Sequence, residues 1–212
     1  MFNVQQILTK IKSLNRPFVL GVDGLSGAGK TTFTDQLAQE LEEAGHKIVI
    51  IHLDDLIEVR EKRYNTGQPE WYEYYSMQWD VLYIQESLFK SNHEKAKVLQ
   101  LKFYIAQEDQ CLSKDIPLKD CTVLLIEGVF LQRKEWRSFV DYLIYLDCPR
   151  EIRNVRVLKR DSYIGDMEAR LNKYERRYWK GEEFYLREEK PLEQADLVLD
   201  VENASIIKNV QQ

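Results

Sequence analysis

Gly24-Leu25-Ser26-Gly27-Ala28-Gly29-Lys30-Thr31 fits G-x-x-x-x-G-K-[ST], a spacing that suits a turn wrapped around phosphate groups. Each residue type has a chemical reason. Glycines let backbone N–H groups turn inward around phosphate oxygens at the positive end of a helix. A lysine at position 30 reaches the β- and γ-phosphates, and the hydroxyl of Thr31 ligates Mg²⁺. The nucleotide-binding set read from this motif is Gly24, Ser26, Gly27, Ala28, Gly29, Lys30, Thr31 and Thr32, with ATP and Mg²⁺ as the ligands.

Three other groups could act on a nucleotide held there. Asp54-Asp55 follows an apolar run, and phosphorylation of a hydroxyl needs a carboxylate that orients the acceptor and takes its proton. Asp54 is the candidate base. Glu127-Gly128 follows the apolar Val123–Ile126, so Glu127 can orient Mg²⁺ or its water shell beside Thr31. Arg153, Arg156 and Arg160 share one helical face, where cations can offset charge on a transferring phosphoryl group. Lys30, Arg156 and Arg160 therefore join Asp54 as catalytic candidates. The single carboxylate at 127 argues against a motor-type ATPase, which would show an Asp-Glu pair. Asn172-Lys173-Tyr174-Glu175 is the nearest approach to a guanine-reading [NT]-K-x-D; it has Glu for Asp and lies in a helical pattern. Small-molecule phosphoryl transfer fits these residues better than either.

Positioning them requires strands that end at residues 24, 54, 127 and 147. Phe18–Val22, Lys47–Leu53, Thr122–Ile126, Tyr142–Leu146 and Leu197–Val201 are short apolar runs bounded by turn signals. Between the first two lies a helical pattern from Lys30 to Ala44, with Phe33, Leu37 and Leu41 recurring and Gly45 after its end. This alternation, with the Gly24–Thr31 motif, predicts an α/β fold of the P-loop NTPase type: a doubly wound, mostly parallel sheet with helices on both faces, to which the family resemblance described below adds a small helical lid. One domain is expected over 1–212. It has an N-terminal helix at 1–15 (apolar stripe Val4, Ile7, Leu8, Ile11, Leu14), an acceptor-binding insert at about 56–80 and a lid at about 150–180, broken near Gly165. Residues 58–80 read as the least regular stretch. A helix is expected from Asp80 to about Phe89, and Val98–Ile105 as one strand of a hairpin or flap.

Gly21–Thr32, His52-Leu53-Asp54-Asp55, Gln78-Trp79-Asp80-Val81-Leu82 and Glu127-Gly128 resemble the uridine kinase and phosphoribulokinase-like group over about residues 18–200. The stretch Gln78–Leu82 is similar to the nicotinamide riboside kinases within it. The resemblance implies that Asp54 is the base toward a primary (5′) hydroxyl. It also implies that Trp79 stacks on the flat ring of the acceptor and that Asp80 accepts hydrogen bonds from ribose hydroxyls. Such roles suit an aromatic face and a carboxylate. Tyr72 is a further candidate for acceptor binding, while Tyr64, Tyr74 and Tyr75 are expected in the core. Lys190-Pro191 and Ala195-Asp196 also resemble the family, near the adenine. Leu56-Ile57 departs from it, since the family places an aromatic residue just after the base carboxylate.

The charge balance is compatible with this reading. The 212 residues carry a net −5, too acidic for a general nucleic-acid binder. Residues 150–180 nevertheless hold ten Lys/Arg against five Asp/Glu. Its first half reads as the arginine lid, and its second half (Arg170, Lys173, Arg176, Arg177, Lys180) has no assigned chemistry beyond surface or oligomer contact. No apolar run approaches a membrane span, no signal peptide is seen, and three cysteines form no metal or disulfide pattern. A cytoplasmic enzyme acting on a nucleoside-like small molecule is expected, without nucleic-acid or membrane partners. Its oligomeric state is open, a homodimer included. A nucleoside monophosphate kinase and a nucleotide-gated regulatory ATPase without an acceptor remain as alternatives.

Overall fold

The apolar runs assemble into a six-stranded sheet in the computed structural model, which describes residues 4–12 and 14–203 together with the backbone of 205–209. The strands are β1 (Phe18–Gly24), β2 (Ile48–His52), β5 (Val123–Glu127), β6 (Tyr142–Asp147), β7 (Leu197–Asp200) and β8 (Ser205–Asn209), in the order β2-β5-β1-β6-β7-β8. All neighbours run parallel except β7 and β8. Val22 pairs with Glu127 and Glu127 with His52, so the carboxyl ends of β1, β5 and β2 open on one edge.

Alternation along the strands supplies both faces of the sheet. Leu20, Val22, Leu125 and Ile144 pack with Leu37 and Leu41 of α2 (Lys30–Glu43) on one side. Val19, Leu124 and Ile126 face the other, where Trp79, Trp136, Phe130 and Tyr185 fill the core. Every residue of β1 is buried, as a central parallel strand requires.

The expected N-terminal helix is cut short. Among the described residues of this stretch only α1 (Gln5–Leu8) is helical, and Leu14 is exposed rather than part of a continuous stripe. So short a segment has little to set against the cost of helix nucleation once Ile7 is buried. Residues 1–3 and 13 of that prediction lie outside the described residues.

The stretch expected to be irregular contains α3 (Arg60–Arg63) and α4 (Glu70–Ser76). Tyr74 and Tyr75 of α4 turn into the core, and Glu73 is buried with them against the basic helix described below. The helix after Asp80 is longer than expected. It starts as α5 (Val81–Ile84), passes through a π-helical turn (Gln85–Lys90) and ends in α6 (Ser91–His93). The flap is an antiparallel hairpin of β3 (Val98–Ile105) and β4 (Gln110–Pro117).

Helix α7 (Arg150–Arg160) is followed by a break at Gly165, whose φ of 138° favours glycine. Then α8 (Met167–Lys173), a π-helical turn (Tyr174–Tyr178) and α9 (Trp179–Glu189) form one continuous rod. The rod outruns the expected lid limit of about 180 because Tyr185 is fully buried against Phe130 and Tyr75. A short α10 (Pro191–Gln194) leads into β7. Among the described residues no helix is long and apolar enough to cross a membrane.

Candidate active site

The Gly24–Lys30 turn joins β1 to α2, with Gly29 in the left-handed region at the helix start (φ 93°). Gly27, at φ 81°, lies so close to α7 that a Cβ there would come within 2.8 Å of the Arg153 carbonyl and of Val157. Glycine is required at 27 both for its backbone angle and for this contact. Lys30 points its ammonium back toward the Leu25 carbonyl at 3.4 Å.

A cavity of about 1120 Å³ opens beside this turn. Ser26, Gly27, Gly29, Lys30, Thr31 and Thr32 line it, and Asp54, Glu127, Arg156 and Arg160 line the same space. The structure thus brings together the proposed phosphate cradle, the proposed base, the carboxylate at the end of β5 and two of the three lid arginines. Asp54 is exposed within the one-turn 3₁₀ segment Leu53–Leu56, and Asp55 is not part of the lining.

Glu127 is 4% exposed. Its Oε1 accepts from Thr31 Oγ1 at 3.2 Å and pairs with His52 Nδ1 at 2.7 Å, while Oε2 has no hydrogen-bond partner among the described residues. A hard-oxygen pair of hydroxyl and carboxylate with one buried oxygen unengaged fits Mg²⁺, which prefers few protein ligands plus water and phosphate oxygens. His52 holds the carboxylate in place and was not anticipated from sequence.

The lid is attached to the turn by a clamp that sequence reasoning also missed. The Ser26 N–H donates to Glu182 Oε1 at 2.9 Å. Arg153 Nη1 donates to Glu182 Oε2 at 2.9 Å and to the Ser26 carbonyl at 3.2 Å. Arg153 is therefore a buried brace rather than a lid cation. The Ser26 N–H is thus engaged, and its hydroxyl lies 3.3 Å from the Tyr74 hydroxyl. Arg156 lies outside the brace, donating to the Gly27 carbonyl at 3.1 Å, and Arg160 pairs with Asp161 at 2.6 Å.

Beneath the turn Asp23 is fully buried. It accepts from the Gly24 N–H, Gln132 Nε2 and Tyr185 OH. Burial pushes its carboxyl above the ordinary range, against the lowering effect of those donors and of Lys30.

Three residues expected at the acceptor site do not line this cavity. Trp79 is 2% exposed; its ring meets Phe130 and Trp136 edge-on, and its Nε1 donates to the Leu53 carbonyl at 2.8 Å. So little of the indole is exposed that it tethers the turn carrying Asp54 and offers no open face to a ligand here. Asp80 caps α5 by accepting from the Tyr83 N–H at 3.0 Å, and opens on a separate cavity of about 210 Å³. Tyr72 stands half-exposed against Trp71, outside the cavity. In their place Tyr64, Tyr74 and Gln78 from the insert line the cavity, with Tyr104 from the hairpin. Tyr64 and Tyr74 were expected to serve only the core.

A second cavity of about 520 Å³ lies on the other side of Gly29 and Arg156, walled by Phe33, Leu37, Leu199 and Val201.

Residues 19–204 match the model of the Phosphoribulokinase / Uridine kinase family. This chain belongs to that family. A solved relative described as "a Possible Uridine Kinase from Bacillus stearothermophilus" is 42% identical, with a TM-score of 0.79 over 93% of this chain and 95% of that one. The uridine kinase of Staphylococcus aureus (strain JH9) is 27% identical over 159 residues, 74% of this chain and 75% of the relative. A D-glycerate 3-kinase from Cryptococcus neoformans, 10% identical with a TM-score of 0.59 over 99% and 97% of the two chains, shares the fold. Members of the Phosphoribulokinase / Uridine kinase family are P-loop kinases, and the expected fold class holds.

Proposed function

We propose that this chain is an ATP- and Mg²⁺-dependent phosphotransferase that moves the γ-phosphoryl group to the primary hydroxyl of a nucleoside or ribosyl-like small molecule. The observation that carries this reading is one cavity holding both the phosphate cradle and an exposed carboxylate, Asp54. Apolar walls at Phe33, Leu199 and Val201 suit the flat ring of the donor, next to the cradle. Lys30 and the inward-turned amides hold the β- and γ-phosphates. Thr31 and Glu127 would hold Mg²⁺, which would supply positive charge against the charge developing on the phosphoryl group. Arg156 and Arg160 approach the transferring group from α7, and Asp54 accepts the proton of the acceptor hydroxyl. Tyr64, Tyr74, Tyr104 and Gln78 form the acceptor wall, in place of Trp79 and Asp80.

The kinship with uridine kinases supports a nucleoside-like acceptor. The test is ADP release with ATP and Mg²⁺ across nucleosides, nicotinamide riboside, pantothenate and nucleoside monophosphates. Release that depends on a nucleoside or another hydroxyl acceptor supports the reading, whereas a strong preference for nucleoside monophosphates would point to a nucleoside monophosphate kinase instead. ATP consumption that no acceptor accelerates would refute it in favour of a nucleotide-gated ATPase.

A further inference from the structure

The second basic helix, which the sequence left without a role, reaches the acceptor cavity. Lys173 at the end of α8 lines it and is half-buried, with its ammonium 5.2 Å from the Tyr64 ring and 6.0 Å from the Tyr178 ring. Arg63 of the insert lines the same end, 6% exposed and lodged between Tyr64 and Tyr104 at 4.9 and 5.0 Å. Its Nε donates to the Glu58 carbonyl at 2.6 Å. Among the described residues neither cation has a carboxylate within ion-pair distance.

The nearby carboxylates are committed elsewhere or stand at the rim. Asp161 is held by Arg160 and Tyr174, and Glu73 by the fully buried Arg177, whose guanidinium lies 4.1 Å from the centre of the Tyr64 ring. Glu61 lines the cavity from the exposed surface of α3. The local field is positive. Although burial acts to raise it, the Tyr64 phenol is held below its ordinary range by Arg177, Lys173 and Arg63. Desolvated cations without counter-charge are costly unless a ligand supplies one.

We infer that the Arg63–Lys173 end of the cavity binds an anionic group, phosphate or carboxylate, carried by the acceptor itself. This inference rests on the kinase reading and narrows its substrate class to acceptors with a free hydroxyl and a negative charge. The contacts of Lys173 and Arg63 are to the insert, the hairpin and the π-helical turn, not to the Gly24–Thr31 cradle, so the charge belongs to the acceptor rather than to ATP.

The experiment measures ADP release at saturating ATP and Mg²⁺ with matched acceptors. Uridine and ribose are neutral, uridine 3′-monophosphate and fructose 1-phosphate carry phosphate, and glycerate and pantothenate carry carboxylate. One anionic set should exceed the neutral set in kcat/KM by at least about tenfold, and which set does so identifies the group. Lys173→Met should raise the KM of that acceptor about 10- to 100-fold, the value of one charge-assisted hydrogen bond, with the KM for ATP unchanged. Lys173→Arg should recover most of the loss, separating charge from folding. Neutral acceptors used as well as anionic ones would overturn the inference alone, leaving the kinase reading intact. So would a Lys173→Met effect confined to ATP, or none at all. No stimulation by any acceptor would overturn both.

Discussion

Glu182→Ala tests whether the lid and the phosphate cradle form one structural unit. The carboxylate it removes pairs with Arg153 at 2.9 Å and takes the Ser26 N–H at 2.9 Å. The two charged side chains are 8% and 4% exposed, so solvent cannot replace the lost partner. Stripping one member from a buried pair costs about 3–5 kcal/mol. An orphaned Ser26 N–H adds to this, whereas Arg153 keeps its bonds to the carbonyls of Cys148 and Ser26, which offset part of it. A net loss of about 3–5 kcal/mol follows. At about 2–4 °C per kcal/mol for a chain of this size, Tm should fall by about 6–20 °C. Calorimetry is the assay, run with and without ATP, alongside the KM for ATP. Glu182→Gln keeps an acceptor for the Ser26 N–H and should lose clearly less. Arg153→Met combined with Glu182→Gln removes the stranded cation and should recover much of the stability. A fall below about 3 °C in Glu182→Ala, or a double variant no better than the single, would refute the clamp.

Further outcomes are expected elsewhere. Asp54→Asn should cut turnover about 10²–10⁴-fold with ATP binding retained in calorimetric titration, the range for a lost general base; unchanged turnover would remove Asp54 from that role. Trp79→Phe keeps a core ring but leaves the Leu53 carbonyl without its donor, costing about 1–3 kcal/mol in urea melts. Its acceptor KM should stay within about twofold, and a raised KM without loss of stability would restore the stacking role. Asp23 sets a pH dependence: its folded pKa is raised, so its stabilising contribution is complete below the ordinary value of 3.8 and declines as pH rises toward the folded value. Asp23→Asn should flatten that decline in denaturant melts between pH 4 and 7.

The cradle was legible because its chemistry is local. Eight consecutive residues specify a strand end, a turn and a helix start, and no distant contact is needed to recognise them. The placement of Asp54 and Glu127 beside that turn was legible for a related reason, since parallel strands deliver their carboxyl ends to one edge. The misreadings share a different cause. Trp79 looks like a ligand platform until Phe130 and Trp136, some 50 residues on, close over it. Arg153 and Arg156 are equivalent on a helical wheel, and only Glu182, on another helix, turns one into a brace. Arg177 appears as surface charge in the sequence, yet it is fully buried by Glu73, Gln78 and the Arg63 carbonyl, about 100 positions away. Periodicity reports which face of a helix is distinctive; it does not report which partner meets that face.

The rod from Met167 to Glu189 carries Lys173, Arg177, Glu182 and Tyr185 in succession, each engaged with a different part of the molecule: cavity, insert, cradle and the Asp23 floor. A π-helical turn holds Arg177, and its wider winding sets the phase between Lys173 before it and Glu182 and Tyr185 after it. Deleting one residue there would rotate everything downstream by about 100°. This segment should therefore accept side-chain replacement far more readily than any change of length. Among homologous chains it should serve as a fixed-length ruler, with insertions and deletions displaced to the hairpin tip and the loops beyond it.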